Sequence, residues 1–267
     1  MVNGLRCYLL LAGMWVRATM AYRTSFVSMT LAQFAITSLE FAAILIMFSH
    51  VPALGGFTLA EIAFLYGLSG ACLGLADLLM GNTERLGERI RRGSLDTMLI
   101  RPMPTLVQIA ADEFALRRIG RIAQSGCVLG WAIAALEVTW TWDRLVLLPI
   151  TITSGAAIFC AVLVLGAAFQ FVAQDAAEVT NAFTYGGDRL TQYPLTIYPP
   201  ELIRAVTFLV PLGFINWYPA LHMLDRTDPL GLPAAVRFAS PLVAALLCAV
   251  AGLAWRAGIR RYRSTGS

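Results

Sequence analysis

Six apolar runs recur along the chain, and each is about long enough for a helix to cross a lipid bilayer. At a rise of 1.5 Å per residue, about 20 residues cross a hydrocarbon core of roughly 30 Å. The runs cover residues 24–50, 59–80, 119–138, 145–172, 202–222 and 234–255. The fifth run is interrupted by Pro211, Asn216 and Pro219. We therefore predict an all-α integral membrane protein in which residues 1–267 form a single domain with six transmembrane helices.

The composition excludes several classes of protein. Hydrophobic residues make up 58% of the chain and charged residues only 13%, which is too few to cover a water-facing surface. All 20 basic residues are arginine. A chain without lysine has no Walker A phosphate loop and no Schiff-base lysine. The 5 cysteines and 2 histidines show no metal-ligand spacing. We predict a chain that is not an enzyme, binds no metal or cofactor itself and has no nucleic-acid partner.

The distribution of arginine orients the predicted spans, because cytoplasmic segments are enriched in basic residues. On the other side of the membrane the prediction places only Arg144, Arg226 and Arg237. The arginine-rich side receives Arg6, Arg17, Arg23, Arg85, Arg89, Arg91, Arg92, Arg101, Arg117, Arg118, Arg121, Arg189, Arg204, Arg256, Arg260, Arg261 and Arg263. We therefore predict a multi-pass protein of the plasma membrane with both termini in the cytoplasm. That arrangement needs an even number of spans, which favours counting the fifth run.

Two further segments are predicted to lie at the cytoplasmic interface. In residues 1–23, Arg6 and Arg17 are eleven positions apart and share nearly one helical face, while Leu9 and Trp15 supply apolar surface. This pattern favours an N-terminal interfacial amphipathic helix, although a simple extension of the first span is an alternative. The other segment, residues 173–201, is predicted to form short amphipathic helices because charged residues and tyrosines interrupt it.

The segment between the second and third runs has a readable local pattern. Gly93 can end one helix in a left-handed conformation, and Ser94 can cap the next. Asp96 then lies near the positive end of the new helix. Pro102 disfavours helix at Arg101 and so limits the new helix to about two turns. The sequence predicts a short cytoplasmic helix between two spans.

This short helix is a candidate for receiving force from a soluble partner. We predict that Leu95, Met98 and Leu99 form an exposed apolar face that inserts into a groove of the partner. Charged residues beside it, among them Arg92 and Arg101, would then fix the register. The alternative is an ordinary charged loop that obeys the positive-inside rule.

A family resemblance favours the first interpretation. The run from Glu88 through Gly93-Ser-Leu-Asp-Thr-Met-Leu-Ile-Arg-Pro102 resembles the cytoplasmic-loop signature of ABC-2 type transporter permeases. The later Tyr193-Pro194-Leu195, the segment 211–220 and the closing segment 261–267 resemble a subgroup in which two related permeases are encoded beside one ATPase. The resemblance extends over nearly the whole chain, and its strength lies in the order of the motifs.

The resemblance implies a function and a set of partners. It implies a second permease copy or a related permease in the membrane, and a dimer of ABC ATP-binding subunits that carries ATP and Mg beneath it. It implies alternating access, with export of a small amphipathic or drug-like compound or of a lipid. The residues that it places at the ATPase contact are Glu88, Arg92, Gly93, Ser94, Leu95, Asp96, Met98, Leu99, Arg101 and Pro102.

Polar residues inside the predicted spans are costly in a bilayer and are therefore functional candidates. Glu40 lies in the first span, Asp77 near the cytoplasmic end of the second, and Asn216 in the fifth. We list these three as a candidate substrate path. The alternative is that neighbouring helices or water satisfy each of them, and for Asn216 packing is favoured.

Two pairs of glycines have the small-xxx-small spacing that allows helices to approach closely, Gly70/Gly74 and Gly126/Gly130. We predict that both pairs pack helices of this chain together. The alternative is that they form an interface between two permeases.

Two other classes of function remain as alternatives. A secondary transporter or channel would be supported by inverted repeats with paired broken helices, and only the fifth run is broken. A membrane-embedded lipid-modifying enzyme generally needs clustered histidine, aspartate or lysine, and the sequence shows no such motif. Membrane lipid is the remaining predicted partner.

Overall fold

The computed structural model describes residues 4–112 and 114–262, which form twelve α-helices joined by turns and short 3₁₀ segments. The α-helices are α1 (Gly4–Ala21), α2 (Arg23–Phe48), α3 (Leu59–Met80), α4 (Leu86–Arg91), α5 (Ser94–Leu99), α6 (Thr105–Ala111), α7 (Ile119–Ala135), α8 (Trp142–Gln170), α9 (Ala177–Thr191), α10 (Pro200–Arg204), α11 (Trp217–Met223) and α12 (Ser240–Arg261). The described residues contain no β-strand, only an isolated bridge between Leu54 and Phe57. The predicted all-α class is confirmed.

Four helices are long and apolar enough to cross a membrane: α2, α3 with its continuation to Arg91, α8 and α12. A fifth candidate is a bent pair, Pro200–Leu209 with Leu212–Met223, whose halves meet at 79°. α7 has 17 residues and α9 has 15. The structure is therefore that of a membrane protein, and the count of six spans stays a prediction.

The helices define two ends of the molecule, which we name by their position. The basic end carries residues 81–118 between α3 and α7, and the opposite end carries the loop between α2 and α3. α1 lies at the basic end, because the hydroxyl of Tyr8 donates to the carbonyl of Leu79 at 3.0 Å. It is a separate helix that meets α2 at Tyr22. Arg263, predicted on the arginine-rich side, lies outside the described residues.

α3 is the central helix of the bundle and packs closely against α7 through its glycines. A Cβ atom added at Gly70 would lie 2.3 Å from Oγ of Ser125, and one at Gly74 would lie 2.8 Å from a side-chain carbon of Ile122. The predicted role of Gly70/Gly74 is therefore confirmed. The same prediction is wrong for Gly126 and Gly130, because a Cβ at either position would meet nothing within 4 Å. These two glycines are on the outward face of α7.

The path of residues 173–201 differs from the predicted cytoplasmic segment. α9 begins near the basic end, where a Cβ at Gly166 would meet Thr180, and it runs along α3. In its last turn Asp188 accepts from Ser69 at 2.7 Å, and beyond the helix Thr196 donates to the carbonyl of Gly55 at 3.3 Å. Because Gly55 belongs to the opposite end, this segment runs from one end of the molecule to the other. Its charged residues look cytoplasmic in the sequence, but the bundle accommodates them.

The fifth predicted span, residues 202–222, is not one straight helix. It belongs to a hairpin over residues 200–224, in which α10 and a π-helical turn over Ala205–Leu209 form the first arm and α11 ends the second. The first arm begins just after Thr196, beside Gly55. The second is followed by Arg226, whose guanidinium donates to both carboxylate oxygens of Glu61 at 2.7 and 2.8 Å. The hairpin therefore begins and ends at the opposite end of the molecule. Because Arg204 lies in the first arm, its predicted position on the arginine-rich side is wrong.

The hairpin reaches into the middle of the bundle. A Cβ at Gly155, midway along α8, would lie 2.7 Å from the carbonyl oxygen of Ile215. A Cβ at Gly187 of α9 would lie 2.9 Å from Leu212. Pro211 stands at the bend, where it prevents a continuous helix. The proline that interrupts the apolar run thus marks a re-entrant turn among the described helices.

Candidate functional site

The short helix predicted between the second and third spans exists, and it is α5 with six residues. Gly93 precedes it with φ +67°, the left-handed conformation that glycine adopts without strain. Arg101 and Pro102 lie beyond its end, as the position of Pro102 predicts. The predicted cap is wrong in detail: Gly93 is the N-cap residue, and the hydroxyl of Ser94 donates back to the carbonyl of Arg89 at 3.2 Å.

The apolar face of α5 points into this chain rather than outward. Leu95 is fully buried and Met98 nearly so, in a cluster that includes Ile90, Ile109 and Trp255. The prediction that Leu95 and Met98 insert into a partner is therefore wrong. Helical spacing places them on one face, and the packing of α12 and α6 against that face buries it. The two residues fasten the helix to the bundle.

The outward surface of this segment is formed by its carboxyl end. Ile100 is 85% exposed and Leu99 is 38% exposed. Arg92, Arg101 and Pro102 are exposed as well. We call Arg92, Leu99, Ile100, Arg101 and Pro102 the coupling tip. Ile100 is absent from the predicted contact residues. The sequence did contain a signal for it, because Ile100 directly follows Leu99 near the predicted end of the helix and precedes Arg101 and Pro102.

Two charged residues of the predicted contact set have partners in this chain. The carboxylate of Glu88 lies 2.5 Å from the guanidinium of Arg92, four residues on, in an exposed pair. The carboxylate of Asp96 accepts from the hydroxyl of Tyr262 at 3.0 Å. Burial, and then this bond to the carboxylate, raises the pKa of Tyr262. The second contact joins α5 to the residue that follows α12.

The rest of the segment is fastened to the bundle by buried hydrogen bonds. The backbone N–H of Gly87 donates to Oε1 of Gln170 at 2.6 Å, which satisfies a donor that the first turn of α4 leaves open. The amide of Gln108 donates to the carbonyls of Met98 and Met103, each at 3.0 Å. These bonds hold α4 against α8 and the carboxyl end of α5 against α6. The coupling tip is therefore carried on a rigid support.

The intramembrane carboxylates predicted for a substrate path have partners within the chain. Arg189 of α9 donates to Glu40 of α2, and the side chain of Arg189 is 54% exposed. The carboxylate of Asp77 lies 3.1 Å from Nε of Arg118, and both side chains are nearly buried. Neighbouring residues thus satisfy both carboxylates, as the alternative interpretation predicts. The positive-inside rule predicts that Arg189 lies on the arginine-rich side, but in the structure Arg189 does not lie at the basic end.

A third ion pair, which is buried, was missed in the sequence. Asp188 is 2% exposed, and its carboxylate lies 3.3 Å from Nη1 of Arg121. It also accepts from Ser69 at 2.7 Å and from the amide of Gln192 at 2.9 Å. The sequence signal for this site was the adjacent Asp188 and Arg189, in a segment that was predicted to be cytoplasmic. Together the three pairs link α2, α3, α7 and α9 at several depths of the bundle.

Asn216 has a structural position. Its amide nitrogen donates to the carbonyl of Leu65 at 3.1 Å and to that of Thr191 at 2.8 Å. It is fully buried, so the side chain ties the hairpin to both α3 and α9. The predicted packing role fits these contacts, and Asn216 is not among the described residues that line the polar chamber beside Asp77 and Arg118.

Comparison with known proteins agrees with these features. No curated protein and no solved structure matches the sequence. A family profile described as ABC-2 family transporter protein matches residues 34–266, from within α2 to beyond α12. The match includes the coupling tip, the hairpin and all three ion pairs. Since this profile covers most of the sequence, the chain belongs to the ABC-2 transporter family and is a permease component of an ABC transporter.

Proposed function

We propose that the chain works as a non-catalytic permease subunit that moves a small amphipathic or drug-like compound, or a lipid, out of the cell. A dimer of ATP-binding subunits, with ATP and Mg, drives it from the cytoplasm, and a second permease completes the pathway. In this proposal the basic end and both termini face the cytoplasm, in the plasma membrane. The membership of the family and the excess of arginine at the basic end support the proposal.

The coupling tip is the observation that carries the proposal. Ile100, which is 85% exposed, and Leu99 form an apolar pair beside Arg101, and such a pair suits a pocket on a protein partner. Behind it, Leu95 is fully buried and Asp96 is bonded to Tyr262. A displacement of the coupling tip by a partner would therefore also displace α12 and α8, instead of only bending a flexible loop.

The ion pairs suggest where the pathway runs. Arg189 and Glu40 lie on a partly exposed face of α9 and α2, inside the predicted membrane region. Exposed charges at that depth need water or a protein neighbour, because lipid leaves them unsolvated. We propose that this face borders the pathway between two permeases. Glu40 and Arg189 would then hold polar groups of the compound, while Asp77 and Asn216 support the helices around it.

The test is copurification with an ATP-binding subunit encoded beside this chain. We expect Ile100→Asp to abolish the association and the transport, because a buried carboxylate at the contact is unpaired. The substitution leaves the support of α5 untouched, so the thermal midpoint of the free permease should not change. Leu99→Asp should act in the same direction but less strongly, because this leucine is only 38% exposed.

Two controls make the result specific. Val51→Asp changes an apolar residue of similar exposure to Leu99 at the opposite end, and it should leave the association intact. Leu95→Asp introduces a charge into the buried cluster, so it should lower the thermal midpoint of the permease itself. If Ile100→Asp leaves both the association and the transport unchanged, the assignment of the coupling tip is wrong.

A further inference from the structure

A crevice of about 530 Å³ opens at the basic end, between the corner where α1 meets α2 and the start of α7. Its apolar wall includes Trp15, Phe26 and Phe114. Two further lining residues, Tyr22 and Met29, are 75% and 48% exposed, so the crevice opens onto the outer surface of the bundle. An apolar chain can therefore enter the crevice from the lipid beside α1 and α2.

The other wall of the crevice is cationic. Arg85, Arg117 and Arg118 line it, and no acidic residue is among its described lining residues. Arg118 is committed to Asp77, since its Nη1 also donates to the backbone carbonyl of that residue at 2.8 Å. Arg117 is exposed and makes no hydrogen bond or ion pair within residues 4–112 and 114–262. Its guanidinium is the group that is able to take a new anion.

A smaller polar chamber of about 170 Å³ adjoins this wall and shares the same three arginines. Its lining adds Arg121, together with the carboxylates of Asp77 and Glu84. Asp77 lies against Arg118 and Asp188 lies against Arg121, so both of these arginines have carboxylate partners. Arg117, which lines both the chamber and the apolar crevice, is the exposed cation at their boundary.

We propose that the crevice binds an anionic phospholipid from the leaflet at the basic end. The phosphate lies against Arg117, and an acyl chain lies between Trp15 and Phe26. Basic pockets beside transmembrane helices hold anionic headgroups in this way, and a guanidinium pairs well with phosphate. The apolar lining beside Arg117 favours a lipid over a soluble anion.

The experiment measures retained lipid on the purified permease. The protein is equilibrated with mixed micelles that contain phosphatidylglycerol or phosphatidylcholine, and bound lipid is counted by native mass spectrometry. We expect a preference for phosphatidylglycerol that Arg117→Gln weakens roughly fivefold, the effect of about one interfacial cationic contact. Arg256→Gln removes another exposed arginine, in the carboxyl-terminal part of α12, and should leave the preference unchanged. Equal affinity for the two lipids, or equal effects of the two substitutions, would overturn the proposal.

A steric pair of variants tests the acyl chain separately from the charge. Ala18 lines the crevice and is exposed, so Ala18→Trp fills it without disturbing the core. Leu10→Trp is the matched change on a part of α1 that does not line the crevice. Ala18→Trp should lower phosphatidylglycerol retention, and Leu10→Trp should not. Inorganic phosphate in excess should not displace the lipid; displacement by phosphate, or by a transported compound, would show a different occupant and refute the assignment.

Discussion

Gly87 of α4, in the segment that carries the coupling tip, packs tightly against the backbone that follows α8. A Cβ atom there would lie 1.9 Å from the carbonyl oxygen of Gln174 and 2.8 Å from its carbonyl carbon. Both atoms belong to the backbone, so no side-chain rotation relieves the clash. The N–H of Gly87 also donates to Oε1 of Gln170, which is fully buried. We expect Gly87→Ala to push α4, and with it the coupling tip, away from the end of α8.

The expected change in the free energy of unfolding combines one stabilising and two destabilising contributions. Alanine in place of glycine favours a helix by up to about 1 kcal/mol. Forced overpacking costs about 1–3 kcal/mol. Separating Gly87 from Gln170 leaves a buried acceptor unpaired, at about 1–3 kcal/mol. The costs exceed the gain, and the free energy of unfolding should fall by about 3 kcal/mol.

Two measurements check this expectation: the thermal midpoint of the permease in detergent, and the ATPase activity of the assembled complex. Both should fall for Gly87→Ala. Gly126→Ala is the matched control, because its Cβ would meet nothing within 4 Å and its helix propensity improves in the same way. If Gly87→Ala is as stable and as active as the parent, the close contact with Gln174 does not exist in the protein and the argument fails.

Three further substitutions test the buried contacts, each by the thermal midpoint in detergent. Arg121→Gln leaves the carboxylate of Asp188 buried without its cation and should cost about 3 kcal/mol; a cost near zero would mean that Asp188 is not ionised. Asn216→Ala removes both donors that hold the hairpin and should cost about 2 kcal/mol; an unchanged midpoint would contradict the packing role. Arg226→Gln should cost only about 1 kcal/mol, because Arg226 is 38% exposed and the Glu61 carboxylate keeps its hydrogen bonds from Thr58; a loss of about 3 kcal/mol would show that Glu61 depends on Arg226 alone.

The long apolar helices were predictable from hydropathy alone, and so was the turn at Gly93. A run of about 20 apolar residues has few alternatives in a bilayer, and a glycine before a Ser-Leu-Asp sequence is a strong local signal. The direction in which α5 faces was not predictable. Leu95 and Leu99 are one helical turn apart, yet only Leu95 is buried, because Trp255 from the far end of the chain packs on one side of the helix.

The role of α9 was hidden for a similar reason. Asp188 and Arg189 look cytoplasmic because a single sequence shows their charges but not their partners. Those partners, Arg121 and Glu40, lie 67 and 149 residues away in the chain. The apolar run that follows α9 had the length of a span, but Pro211 turns it back. Pairing across long sequence separations, rather than local composition, decides which segment passes through the bundle.

The hairpin has a consequence for biosynthesis. Its arms are short and bent, and non-helical backbone is tolerated at membrane depth only when other protein surrounds it. We therefore do not expect residues 200–224 to enter the bilayer on their own as they leave the ribosome. We expect them to stay at the membrane surface until α3, α8 and α9 have assembled a cavity and Asn216 can reach its two carbonyls. Insertion of this segment would then be a late step of maturation, and a reporter fused near Pro211 would record the side of the membrane on which the nascent chain stays.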